Sequence, residues 1–328
     1  MPALHLLFLA IPMDPAALCA MTDFSSDTDP TTLDVVALEN IISGNPSCMP
    51  AHFFRGYAEL ADDARNLDAA IEHLERALQL APRNGDTLIL LGQVYLIRAS
   101  EESSLGDAGT GKKYLEAAVK FDPENLDARA ILADFHRAAP WIAGGDIDVA
   151  YEQAEEIRKR DPLRGDIEMA QTLLADGEEE EGFALARVIL EKHPDNSALA
   201  VQYAVLMHER EDFVEAHRVL LAATNAEDAN LNALYQLGRT SALSGQFIVD
   251  GRAALQRYIA RGEAGENVPI DAAAAWWRLG MVEEHDENFD AARAAYERAL
   301  EINPDSEEAA EALADLKNAM PAQSSPQE

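Results

Sequence analysis

Apolar residues recur with a helical period through most of this chain, in paired segments that most often close on a proline. The pattern is clearest from Ala273 to Ser306. With Ala273 as position 1, Trp276 stands at 4, Leu279 at 7, Gly280 at 8, Ala292 at 20, Tyr296 at 24, Ala299 at 27 and Pro304 at 32. Small residues at 8, 20 and 27 suit two antiparallel helices whose backbones approach closely, while large residues fill the gaps beside them. Proline at 32 lacks the N–H needed to continue the second helix.

Six earlier copies align on the same register, at residues 51–84, 85–125, 126–164, 165–196, 197–230 and 231–272, with 273–306 as the seventh. Position 8 reads Ala58, Gly92, Ala133, Thr172, Ala204, Gly238 and Gly280, small each time. Pro82 and Pro123 are 41 residues apart, which places seven extra residues in the polar, Gly-rich stretch Ala99–Gly111, expected as an extended loop between helices. Five more fall within Ala139–Asp146 of the third unit. The fourth unit is short and carries the acidic turn Asp176–Glu181, and the second helix of the sixth runs late, with Gly251, Leu255 and Tyr258 as its packing set. Residues 25–50 read as a linker and an N-terminal helix over Leu33–Ile42. Glu307–Met320 reads as a C-terminal capping helix and 321–328 as a disordered tail.

The register resembles the tetratricopeptide repeat, whose first helix carries a bulky residue at 4, an aliphatic at 7 and a small residue at 8. The Ala139-Pro140-Trp141-Ile142-Ala143-Gly144-Gly145 segment, followed by Asp161-Pro162, is similar to a bacterial subset of that family. The resemblance implies an all-α fold, a right-handed α-solenoid of about seven helix-turn-helix units with capping helices at both ends. It also implies an interaction scaffold that takes a partner protein or peptide in the groove lined by its first helices. Carried over by position, the groove residues are Arg55, Gln93, Met169, Val201, Tyr235, Arg239, Trp277 and Met281. For Met169, Val201 and their neighbours Leu173 and Val205, packing between units is the competing expectation. Paired Lys and Asn, with which better-known members grip a terminal carboxylate, are absent. Of two adjacent tryptophans only one can enter its own unit's core, so Trp276 is expected there and Trp277 in the groove. Tyr235, Arg239, Trp277 and Met281 would then form one apolar patch with a single cation, suited to an apolar side chain beside a carboxylate.

Charge narrows the partners further. Lys and Arg number 26 against 59 Asp and Glu, a formal net charge of −33, which repels nucleic acid and anionic membrane surfaces. The one basic cluster, Arg158-Lys159-Arg160, adjoins Glu155 and Glu156. No cofactor motif and no catalytic constellation is found. His208-Glu209 opens like a zinc-protease helix, but Asp212 replaces the second ligand, and His217 is off the i, i+4 spacing. No metal ligands are assigned, and the run Glu178–Glu181 lacks the alternating pattern of a calcium loop. The alternative to a scaffold is a ligand-binding or enzymatic module built on the insertions at 99–111 and 139–146, with Trp141 as a stacking residue. Burial of Trp141 against its own first helix would remove that alternative.

Residues 1–24 lie outside the repeats. The apolar run Ala3–Met13 is too short to span a bilayer, so no membrane span is expected. It is either the core of an export signal cleaved near Ala20, giving an exported or periplasmic protein, or a leader upstream of a true start at Met21 in a cytoplasmic one. In both cases Cys48 is expected to have no disulfide partner.

Overall fold

The computed structural model describes residues 15–21, 33–61 and 65–319. Residues 1–14 of the signal expectation, the linker at 22–32 and the tail at 321–328 lie outside these. The described residues are all-α, with seventeen α-helices and no strand, arranged as helix pairs of the solenoid type. Contacts divide the chain into two compact units, 1–182 and 183–328.

The first unit begins with α1 (Pro15–Cys19) and α2 (Val35–Gly44). The pairs α3 (Met49–Ala58) with α4 (Leu67–Leu80), α5 (Gly85–Glu102) with α6 (Leu105–Phe121) and α7 (Leu126–Ala138) with α8 (Ile147–Arg158) follow. Then come α9 (Pro162–Asp176) and the start of α10 (Glu179–Lys192). The core at its N-terminal end includes Leu38, Ile41, Phe53, Phe54 and Leu74. Leu18 of α1 is fully buried in that core, and Cys19 forms a disulfide with Cys48. Residues 15–21 therefore belong to this unit, and Cys48 does have a partner, contrary to the expectation from sequence. The first repeat is also shifted. Ala58 is only half-buried, whereas a Cβ on Gly56 would stand 2.8 Å from Leu74 Cγ and 2.9 Å from the Ala70 carbonyl, so Gly56 occupies the closest approach.

The insertion at 99–111 is not a loop. It lengthens both helices of its pair, to 18 residues in α5 and 17 in α6, joined only through Ser103 and Ser104. Gly111 explains why a glycine-rich stretch stays helical: its Cβ would lie 2.8 Å from the Gly92 carbonyl, so it marks a close helix crossing rather than a turn. Arg98 ties the extension down, donating to Asp107 at 2.8 and 3.0 Å and to Asp68 at 2.6 Å.

The second unit contains α11 (Ser197–Glu209) with α12 (Phe213–Ala223), α13 (Leu231–Ser244) with α14 (Ile248–Glu263), α15 (Ala272–His285) with α16 (Phe289–Ile302), and the end helix α17 (Glu307–Ala319). Here the register holds closely. Ala204, Ala216 and Leu220 are fully buried, as are Ala292 and Ala299, with Tyr296 almost so. A Cβ on Gly238 would meet Leu255 Cγ at 2.2 Å. Leu313 and Leu316 of α17 close the cluster around Ala292 and Tyr296.

An asparagine starts four of the first helices. The side chains of Asn84, Asn125, Asn196 and Asn230 accept from the backbone N–H three residues on, at α5, α7, α11 and α13. Each satisfies a donor that the helix itself leaves unpaired, worth about 1 kcal/mol per cap.

Candidate functional site

First helices carry the positions expected to meet a partner, and their surroundings differ between the units. In the first unit Arg55 is already engaged, donating to Glu39 at 2.6 Å and paired with Glu59 one turn on. Gln93 and Met169 are half-buried. This face therefore offers no unneutralised cation at Arg55.

In the second unit Val201 is half-buried, and Tyr235 is buried at 7% exposure with its ring 5.6 Å from that of Tyr258. Tyr235 thus contributes packing rather than an exposed contact, because α13 is covered by its partner α14 at this level. Trp276 and Trp277 are both half-buried, so they do not divide into core and groove as expected. Trp277 and Met281 pack against the cluster of Tyr296, Leu313 and Leu316, where α17 supplies cover that the repeat register alone does not foresee.

What remains is a cationic spot with two residues the sequence pattern does not single out. Arg278 lies over the Trp277 ring, 4.0 Å from its centroid, and its Nη1 approaches Met281 Sδ at 3.4 Å. Its Nε is buried without a hydrogen-bond partner. Burial lowers the affinity of this guanidinium for its proton and the Tyr235 phenol opposes that; Arg239 adds to the lowering and Glu308 acts against it. Arg239 donates to Gln236 at 3.3 Å. Neither guanidinium has a carboxylate within ion-pair distance among the described residues. His208 on α11 completes the surroundings. Its Nε2 meets the Thr240 hydroxyl at 2.7 Å, and its Nδ1 is buried and unpartnered. Burial, then Arg239 and Arg278, pushes its pKa down to about 4. His217 is separately occupied, hydrogen-bonded to Asp250 at 2.8 Å and stacked on Phe247 with centroids 3.8 Å apart.

The 139–146 insertion forms a 3₁₀ turn, Trp141–Ala143, before α8. Trp141 is 84% exposed, so it is not buried against α7 and the ligand-binding alternative is not removed.

Paired antiparallel helices with a small residue at each closest crossing define a helical-repeat protein. Family models described as tetratricopeptide repeat match residues 37–85, 58–103, 92–125 and 273–316. The chain thus carries tetratricopeptide repeats over those residues. Among solved structures, yeast Tom70 aligns with a TM-score of 0.58 at 14% identity, covering 87% of this chain and 57% of that one. The chain thus spans little more than half of Tom70's length. A tetratricopeptide repeat protein from Parabacteroides merdae aligns at 0.43 with 12% identity over 87% of this chain and 91% of its own. A human IFIT1 dimer with m7Gppp-AAAA aligns at 0.46 with 17% identity over 83% and 67%. No curated protein matches the sequence. No described helix is long and apolar enough to cross a membrane.

Proposed function

We infer that this protein is an interaction scaffold, and that the first helices α13 and α15 of its second unit take a partner segment carrying a carboxylate beside an apolar side chain. One observation carries the reading. Arg239 and Arg278 stand together, neither in an ion pair among the described residues, in a chain that has 59 acidic residues to offer; Glu308 acts on Arg278 only from beyond ion-pair distance. Two like charges held partly out of water repel one another, and a carboxylate from a partner would relieve both the repulsion and the unmet donor at Arg278 Nε. Trp277 and Met281 are only half-buried beneath α17, and the part of each left uncovered would supply the apolar contact beside them. The strong negative charge elsewhere would restrict an acidic partner segment to this spot and raise the salt sensitivity of its capture. No catalytic step is assigned to these residues.

The test is a pull-down from the source cell's lysate with wild type, Arg239→Glu and Trp277→Ala. Partners retained by wild type should be lost with Arg239→Glu and weakened with Trp277→Ala, each variant keeping its helicity. Folded variants that keep every partner of the wild type would remove the reading. A ligand-binding role for the 139–146 connector is favoured independently by the exposure of Trp141.

A further inference from the structure

Within the first unit, α6, α7, α8 and the connector between the last two enclose an open cavity of about 580 Å³, inside the range of small-ligand sites. The sequence builds it from aligned faces. Lys112, Glu116 and Lys120 lie one turn apart on α6, Leu132 and His136 one turn apart on α7, and Val149 and Gln153 one turn apart on α8.

The rim is fixed. Ala143 N–H donates to the Pro140 carbonyl at 2.9 Å, Gly144 N–H to Trp141 at 3.0 Å and Gly145 N–H to Pro140 at 3.2 Å. Gly144 adopts φ +92°, and a Cβ on Gly145 would stand 1.8 Å from the Ala139 carbonyl, so both positions need glycine. This turn holds Trp141 outward beside Ile142, which is 57% exposed. An aromatic ring is thus presented at the mouth of a cavity on a stiff support.

Two lysines, Lys112 and Lys120, and two carboxylates, Glu116 and Asp146, line the cavity. Three of the chain's six lysines are on α6, at 112, 113 and 120. Lys112 reaches only the Gly144 carbonyl, at 3.4 Å, and neither it nor Lys120 has a carboxylate within ion-pair distance among the described residues. Gln153 accepts from Arg129 through Oε1 at 2.8 Å, which leaves its NH₂ to donate. One oxygen of Asp146 accepts from Asp148 N–H at the start of α8. His136 is 5% exposed and its Nδ1 is buried with no partner. Burial first, then Lys112, favours the neutral ring, against the smaller pull of Asp146 and Glu116. An enclosed bare lone pair is less costly than an enclosed N–H, so the proton belongs on Nε2, the edge left to the cavity.

We propose that this cavity is a binding site for an organic carboxylate with a planar or apolar body, the carboxylate lying between Lys112 and Lys120 and the body against Trp141. Glu116 and Asp146 at the same cavity disfavour a dianion such as a phosphate monoester. Val119, Leu132 and Val149 give the body an apolar floor. The carboxylate belongs either to a free small acid or to the C-terminus of a peptide, and the two are separable by experiment.

The test is NMR of the full chain with ¹⁵N-labelled tryptophan, whose three indole N–H signals are assigned by Trp141→Phe and Trp277→Phe. One arm adds indole-3-acetate; the other adds a five-residue peptide ending in tryptophan, with its C-terminus free or amidated. Saturable movement of the Trp141 signal is expected in at least one arm, with at least tenfold weaker binding of indole-3-acetamide or of the amidated peptide. Lys112→Gln with Lys120→Gln, both partly or fully exposed and so harmless to folding, should weaken it at least tenfold with unchanged helicity. The free acid alone binding identifies a small-molecule site, and the peptide alone binding identifies a C-terminal recognition site. No saturable shift in either arm, equal binding of the amides, or equal binding by the double lysine variant would overturn the proposal.

Discussion

A Cβ placed on Gly280 would stand 2.3 Å from Cε1 of Tyr296. The tyrosine cannot swing aside, because it is 1% exposed and its hydroxyl donates to Glu284 at 2.8 Å. Gly280→Leu should therefore cost about 2 kcal/mol or more through overpacking. Gly109 of α6 makes the contrasting case, with nothing within 4 Å of a Cβ. Gly109→Ala should stabilise by about 0.5–1 kcal/mol through helix propensity. Chemical denaturation of the two variants should shift the midpoint in opposite directions; a shift in the same direction would contradict the packing described.

In the first unit, Arg137 donates to Glu168 at 2.8 Å with both side chains almost withdrawn from water. Burial raises the Glu168 pKa and the guanidinium acts against that rise. Arg137→Leu would leave a buried carboxylate without its counter-charge, an expected loss of about 3–5 kcal/mol. Adding Glu168→Leu should recover most of it. A double variant no more stable than the single one would show that the pair does not act as a unit.

These two cases indicate which features are legible in the chain itself. Gly92, Gly238 and Gly280 each fall at position 8 and each meets the residue at or next to position 24, so spacing alone locates the closest helix crossings. Gly111 has the same role, but within a polar, glycine-rich stretch it carries no signal until the Gly92 carbonyl is found 2.8 Å away. Asn84, Asn125, Asn196 and Asn230 carry a readable helix-start signal, since each stands just before an apolar-periodic run. The Arg239 and Arg278 cluster is not readable in this way, because the lack of an ion pair among the described residues is a property of three-dimensional surroundings. Trp277 fails for a related reason: its cover comes from α17, outside the repeat that defines its position.

Cys19 and Cys48 are 29 residues apart and joined. Closing a loop of that size should stabilise the fold by about 3 kcal/mol. Thiol titration of unfolded, unreduced protein should find no free thiol, and reduction should release two and lower the melting temperature. A chain beginning at Met21 would instead titrate one thiol before reduction, from Cys48, and reductant would leave its melting temperature unchanged.

His208 gives the second unit a defined acid sensitivity. Its pKa falls from about 6.5 when unfolded to about 4 when folded. Above pH 6.5 both states are neutral and the fold has its full stability. Between pH 6.5 and 4 the unfolded chain takes up a proton that the folded one refuses, so stability declines as pH falls, and below 4 this contribution is constant. A fall from 6.5 to about 4 corresponds to a loss of about 3 kcal/mol. His52, His73 and His136 are also held below their usual range by burial and act with the same sign. The decisive measurement is therefore the difference between wild type and His208→Gln. Denaturation midpoints of the two should converge as pH drops from 7 to 4, and parallel curves would show that His208 does not sense pH.

Arg278 separates stability from recognition. Its guanidinium is largely withdrawn from water, its Nε lacks a partner, and Arg239 adds repulsion, so the residue carries costs that packing on Trp277 only partly offsets. Methionine keeps the long apolar stem and the contact with the tryptophan ring while removing the charge and the unmet donor. The Tyr235 phenol and Glu308 favour the charge, but burial outweighs them, so removing it with an apolar side chain of similar length should be neutral or stabilising. Arg278→Met should therefore unfold at the same or higher denaturant concentration than wild type, yet lose the carboxylate-bearing partner. A residue whose removal strengthens the fold and weakens binding is retained for the binding. If Arg278→Met instead unfolds markedly earlier, the guanidinium is a structural element of α15 and the proposed partner site loses its main support.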